Sequence, residues 1–308
     1  MRPFRPLAPL QALFLGAALL AQAPPAPPAP PAPPAPPAPP APPAEPSWAG
    51  STRVENRNEK LAHGSRLWVR NRNGAIAVTG WDKEEVSLKA EIRDTERRPI
   101  QLIIQRKGQD LDIEALYQQP KWSISFGFVP SPRCQMTLQV PHKLMGHFRT
   151  TNGSVSVARL DGYARCETTN GNITLKDLSG EVLADTTNGT VDARRLKARI
   201  KGGTTNGRIL LEDVEGGIKM ETTNGSILAK GMDGWGEGIH LETTNGSIEV
   251  ELGKASGDLR ADNTHGSMDV KVPAAQIIEV TKHSARLKIP GKAQKITLET
   301  TNGGITVR

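Results

Sequence analysis

The chain has 308 residues, of which 4% are aromatic, 30 are glycine and 25 are proline. That balance is poor for a compact mixed α/β enzyme and suits a turn-rich β architecture. The formal charge is +7; without Arg2 and Arg5 of the leader it falls to roughly +5, a modest excess, and with so few stacking aromatics it argues against a nucleic-acid binder.

Residues 1–23 read as a secretory signal. Arg2 and Arg5 supply the basic start, Leu13 to Leu20 the apolar centre, and Ala21-Gln22-Ala23 the small-x-small cleavage pattern. Cleavage after Ala23 would leave Pro24 at the new terminus, which is unfavourable. Cleavage after Ala21, or retention as an anchor, are the alternatives. The apolar run is short for a membrane span, and no cysteine follows it for lipid attachment. The expected location is therefore outside the cytoplasm: periplasm, cell surface or medium. Residues 24–44 are seven Pro-Pro-Ala units. Proline fixes φ and removes the amide donor, which excludes helix and sheet. The linker over 24–46 is predicted to be polyproline II, on the order of 65 Å long.

Residues 47–149 are predicted to form the opening coils and an irregular β cap. Asn73-Gly74 followed by Ile76-x-Val78 is one repeat-like corner, and Val86 to Ile92 alternates as a strand. Further strands are predicted over 100–106, 110–116 and 133–140. A stack of strands needs a cap because its terminal strand exposes unpaired amides. The loop carrying Trp122, Phe126 and Phe128 reads as cap core, with an exposed sugar-stacking or membrane-touching loop as the alternative. Cys134 and Cys166 both sit in strand-like alternation. Buried free thiols and a disulfide in an oxidising compartment are both open.

From 150 to 308 the chain repeats. Thr-Thr-Asn-Gly occurs seven times, beginning at Thr150, Thr168, Thr186, Thr204, Thr222, Thr243 and Thr300, and the first four steps are 18 residues each. Degenerate copies are Asn71-Arg72-Asn73-Gly74 and Asn263-Thr264-His265-Gly266. The corners so marked are Asn73-Gly74, Asn152-Gly153, Asn170-Gly171, Asn188-Gly189, Asn206-Gly207, Asn224-Gly225, Asn245-Gly246 and Asn302-Gly303. Each unit divides into two nine-residue halves that open on an apolar-x-apolar pair. The halves can be followed through Ile239, Ile248, Leu259, Met268, Ile278, Leu287, Ile296 and Ile305, so a disguised coil is expected between 266 and 300.

The predicted fold is all-β: a parallel β-solenoid, or β-helix, of 18-residue coils. Equivalent strands would stack about 4.8 Å apart into a rod of roughly 40 Å. A right-handed coil is favoured because parallel crossovers usually take that hand. Asn-Gly is assigned to the corners because it tolerates positive φ, and the stacked asparagines are expected to form a hydrogen-bonded ladder. The apolar spacing excludes a hexapeptide helix, and the turns lack the acidic ligands of a calcium-loaded nonapeptide roll. The register runs to Ile305-x-Val307. The final half-coil is therefore expected to pair end to end with another chain, or to be covered by a segment from elsewhere in this one.

The apolar leader, the Asn-Gly-x-Ile-x-Val corners, Gly80-Trp81-Asp82 with Val86 after it, and the Thr-Thr-Asn-Gly run together resemble the bacterial putative-adhesin family of β-strand-repeat proteins, a domain of unknown function. The resemblance covers about residues 60–308. It implies an envelope location and a β-solenoid fold, and it brings no catalytic residues and no ligand.

Catalytic signatures are missing. There is no phosphate-binding loop, no dinucleotide fingerprint and no Gly-x-Ser-x-Gly elbow. His63, His142, His147, His240, His265 and His283 show no metal-ligand spacing, so neither cofactor nor metal is expected. Outward positions before the corners form a basic column (Arg165, Lys201, Lys219, His240, Arg260) beside an acidic one (Glu167, Asp185, Glu221, Glu242, Asp262, Glu299). Arg194, Arg195, Lys197, Arg199, Lys201 and Arg208 are a candidate contact for anionic groups of envelope polymers. The expected function is a non-enzymatic, adhesin-like or scaffolding surface that binds envelope polymers or another protein through many weak contacts. The alternative is a polysaccharide-active lyase or hydrolase, with Trp235 and Glu237 in a small insertion as its candidates.

Overall fold

The computed structural model describes residues 51–95, 98–118 and 131–308. The leader, the Pro-Pro-Ala linker and the loop with Trp122, Phe126 and Phe128 lie outside these. Period-two alternation dominates the rest and gives strands, with no helix among the described residues. In the first part these are β1 (Ser51–Lys60), β2 (Arg66–Arg70), β3 (Ile76–Trp81), β4 (Glu85–Asp94), β5 (Ile100–Lys107), β6 (Asp110–Tyr117) and β7 (Arg133–Pro141). The repeat region supplies β8 (Lys143–Arg149), β9 (Val155–Ala158), β10 (Asp161–Asn170), β11 (Ile173–Lys176), β12 (Ser179–Asn188), β13 (Val191–Asn206), β14 (Ile209–Asn224) and β15 (Ile227–Lys230). The chain ends with β16 (Asp233–Asn245), β17 (Ile248–Glu251), β18 (Gly257–His265), β19 (Met268–Val270), β20 (Gln276–Val280), β21 (Ser284–Ile289), β22 (Lys295–Asn302) and β23 (Ile305–Val307).

Each coil gives one strand to each of two walls. The longer strands leading into Thr-Thr-Asn-Gly stack as β8, β10 and β12 and continue through the second half of β13 and β14. The short strands after the corner stack as β9 and β11 and continue through the first half of the same two. All of these pairings are parallel, and equivalent residues lie side by side: Ile173 faces Val191, which faces Ile209, which faces Ile227. Those four side chains are buried, and each such aliphatic contributes about 1.5–3 kcal/mol. The inward row on the other wall runs Phe148, Cys166, Ala184, Gly202, Met220 and Leu241, so a small residue on one coil meets a larger one nearby.

Chain order departs from stacking order at both ends. The predicted opening coil, β2 with β3, does not end the stack: β6 lies outside β2 and β7 outside β3, both parallel. Beyond them pack antiparallel strands, β4 on β7, β1 on β4 and β5 on β6. At the other end β22 lies between β16 and β18, and β23 between β17 and β19. The last residues of the sequence therefore form an interior coil with both edges paired. This is the covered arrangement of the two alternatives for residues 305–307. Ile278 and Leu287 are not coil openings: they lie in an antiparallel hairpin, β20 with β21, whose β21 closes the free edge of β18. An apolar-x-apolar pair looks the same in a hairpin as in a coil, and only pairing direction separates them.

Candidate binding surface

The corner is built from three side-chain roles. The first threonine points inward and is buried, and its hydroxyl donates to the carbonyl of the corner glycine one coil before. Thr168 Oγ1 lies 2.8 Å from the Gly153 carbonyl, Thr186 3.0 Å from Gly171, Thr204 3.0 Å from Gly189 and Thr222 3.1 Å from Gly207. The second threonine is exposed at Thr169, Thr187, Thr205, Thr223, Thr244 and Thr301. The asparagines form an unbroken amide ladder. Asn152 Nδ2 donates to Asn73 Oδ1 (2.7 Å), Asn170 to Asn152 (2.9 Å), Asn188 to Asn170 (2.8 Å), Asn206 to Asn188 (2.9 Å) and Asn224 to Asn206 (2.9 Å). It continues from Asn245 to Asn224 (2.9 Å) and from Asn302 to Asn245 (2.8 Å).

The glycine is required for a different reason from the one the sequence suggests. Only Gly74 (φ 127°) and Gly266 (φ 149°), at the two degenerate corners, lie in the left-handed region. A Cβ on Gly171, Gly189, Gly207 or Gly225 would instead penetrate the carbonyl group of the glycine one coil before. Close approach of backbone to backbone, not positive φ, selects glycine there.

Before the corner, the acidic column and the exposed threonines line a trough along this wall. Three contiguous cavities of about 200, 560 and 320 Å³ make it up, the first sharing Asp185 with the second and the second sharing Glu242 with the third. The 560 Å³ section is lined by Gly203, which stands in the position held by Asp185 and Glu221 on the adjoining coils. The threaded coil puts Glu242, Glu299 and Asp262 on three successive coils, with Thr297 standing between His240 and Arg260. Partial burial acts to raise the Glu167 carboxyl, but ion pairs with Arg165 and His147 outweigh it and hold the group below its ordinary value. Asp185 is pushed up by desolvation and by Glu167 on the coil before. Glu221, His240 and Glu242 bring three metal-type ligand atoms within 4.8 Å of one another. Sequence spacing could not show this because the ligands come from two coils. The groups already pair internally, Lys219 Nζ with Glu221 at 3.0 Å and His240 Nε2 with Glu242 at 3.4 Å.

The other candidate residues are scattered. Arg194 pairs with Asp192 and Glu212, Arg195 with Asp177, and Lys197 with Glu215. Arg199 and Lys201 both reach Glu237, at 3.5 and 3.2 Å. Of the six-residue basic cluster only Arg208 makes no ion pair among the described residues, so most of its charge is already balanced. The insertion carrying Glu237 arches over the Gly216-Gly217 coil to reach those two cations. Cys134 and Cys166 are free and buried, and burial pushes both thiols up, Cys134 to about 12. Sequence reasoning missed Tyr117, whose hydroxyl accepts from the Asn73 N–H at 3.2 Å and places its single proton between Asn71 Oδ1 and the Asn73 carbonyl, at 2.7 and 2.6 Å, fixing the first corner.

The model of the Toastrack DUF4097 family matches residues 66–308. The chain belongs to the Toastrack DUF4097 family. No curated protein matches it in sequence. Among solved structures, this Toastrack chain is similar to a "putative cell adhesion protein" from Clostridium sporogenes, at 12% identity and a TM-score of 0.25 over 83% of this chain and 99% of that one. It is also similar to a "putative adhesin" from Bacteroides fragilis, at 12% identity and a TM-score of 0.42 over 83% and 97%. A third is a "putative lipid binding protein" from Parabacteroides distasonis, at 16% identity and 0.40 over 84% and 98%. No helix among the described residues of this Toastrack chain is long and apolar enough to cross a membrane.

Proposed function

We propose that the chain is a non-enzymatic exported protein of the cell envelope or surface, and that the trough is an adhesin-like binding surface for a repeating polymer. One observation carries this: the same group, an exposed threonine beside a carboxylate or its replacement, recurs on successive coils at a spacing fixed by the amide ladder. A repeating polyhydroxylated chain meets equivalent contacts at each coil, and linked weak contacts multiply. The leader and the Pro-Pro-Ala linker support export and reach. The test is retention of the full chain on immobilised envelope polysaccharides, beside a variant with Thr187→Ala, Thr205→Ala and Thr223→Ala. Long polymers should bind on the order of a hundredfold more tightly than short fragments, and the variant should lose that advantage. Equal affinity for long and short ligands would sink the proposal. Glycan cleavage abolished by Glu237→Gln would move the chain to the enzymes.

A further inference from the structure

The end of the stack formed by β18 to β21 is open. Interior coils bury their aliphatic rows completely, whereas Met268, Val270, Val272, Ala275 and Ile289 are only half-covered here. Ile277 and Val280 lie opposite Leu287 and Ala285 and so extend the inward apolar rows past the last covered position. With the bulged Ile278 they are 66%, 48% and 63% exposed, for Ile277, Val280 and Ile278 in turn. Strand β20 is also an edge, paired on one side alone.

The same end is strongly basic. Residues 271–295 hold six cations against a single carboxylate, Glu279; Lys271 is paired with Asp269 and Lys292 with Asp233, which leaves Lys282, Arg286, Lys288 and Lys295 against Glu279, a balance of +3. Lys282, Arg286, Lys288 and Lys295 are exposed and make no ion pair among the described residues. Ile278 lines a cleft of about 550 Å³ with Arg260, Arg286 and Lys295. Asp258 and Glu237 also border it, and Glu237 is engaged by Arg199 and Lys201. Gln294, also in the lining, is 9% exposed, and neither of its amide atoms has a partner among the described residues.

We propose that this end docks on an anionic lipid bilayer, with Ile277, Ile278 and Val280 at the acyl boundary and the surrounding lysines and Arg286 at the phosphates. Charge decides between occupants. A second copy meeting this end with its own would set an unbalanced +3 against +3. Among the described residues the opposite edge strand offers no acidic complement, since β1 mixes Arg53, Arg57 and Lys60 with Glu55 and Glu59, and both glutamates are already paired. An anionic bilayer answers both features, because aliphatic side chains enter the interface and cations strengthen surface binding about fivefold each. The proposal stands apart from polymer binding in the trough, which needs no lipid.

The experiment uses the full chain carrying Ile278→Cys, labelled with an environment-sensitive thiol probe. Cys134 and Cys166 are buried and stay unlabelled. Vesicles of phosphatidylcholine mixed with phosphatidylglycerol should shift the probe emission to the blue, pure phosphatidylcholine should not, and high salt should reverse the shift. A probe at Val54→Cys, on edge strand β1 at the opposite end, should stay unchanged. Adding Lys282→Gln and Lys288→Gln should weaken binding on the order of twentyfold. No shift at 278 overturns the proposal. So do equal shifts at 278 and 54, which would mean binding through another part of the chain. A shift that follows protein concentration without vesicles also overturns it and makes the occupant a second copy.

Discussion

The two corners of each coil solve the same turn by opposite means. At the Thr-Thr-Asn-Gly corner the backbone keeps ordinary φ but packs so closely on the coil before that no Cβ fits at Gly189 or Gly207. At the other corner the chain enters the left-handed region at Arg159, Asp177, Arg195 and Asp213, with φ of 57°, 54°, 51° and 54°. The next position in that column is Gly231, with φ of 64°. Thus the crowded corner admits one residue type, and the left-handed corner admits several. The difference shows that repetition in sequence follows contact between coils more closely than it follows backbone strain. The trough lies beside the crowded corner, because the second threonine of successive copies lines it at Thr169, Thr187, Thr205, Thr223 and Thr244.

Three substitutions would break or sharpen this contrast. The largest effect is expected from Gly207→Ala, whose methyl group must push the Gly189 carbonyl away. Stability should fall by at least about 2 kcal/mol, with faster amide exchange on β13 and β14. A loss below about half that would show that the coils separate easily. Thr204→Val keeps the shape but removes the hydroxyl bond to the Gly189 carbonyl at 3.0 Å. It should cost about 1–2 kcal/mol, read as a lower urea midpoint with unchanged circular dichroism. The smallest effect belongs to the other corner. Asp213→Gly relieves a left-handed residue but adds freedom to the unfolded chain, two terms near 1 kcal/mol that oppose each other. The melting temperature should hardly move, and a large change in either direction would show that the side chain at 213 matters beyond its backbone.

The two degenerate corners carry a message that chain order conceals. Asn71 and Asn263 replace the buried threonine at the ends of the ladder: Asn71 Nδ2 donates to the Cys134 carbonyl of β7 at 2.7 Å and to the Gly74 carbonyl of its own corner at 3.1 Å, and Asn263 Nδ2 donates to the Ser267 carbonyl of its own corner at 3.1 Å. A threonine hydroxyl donates to the corner glycine of the coil before it, and beyond Asn71 and Asn263 the adjoining strands among the described residues, β7 and β21, carry no such corner. The perfect copy at Thr300 marked that coil as interior, and the imperfect one at Asn263 marked the coil at the edge of the ladder. The sequence therefore held the clue to the threading, but position along the chain pointed the other way.

By itself the sequence determined the two-strand coil, its 18-residue step, the inward aliphatic rows and the place of the asparagine ladder. These depend on local alternation and on identical residues recurring at a fixed interval, so one coil predicts the next. Only the tertiary structure decided which coils are neighbours at the ends, that residues 276–289 form an antiparallel hairpin, and that Glu221, His240 and Glu242 meet. Those outcomes follow from long-range strand pairing, where hydrogen-bonding edges accept a parallel or an antiparallel partner from any distance along the chain.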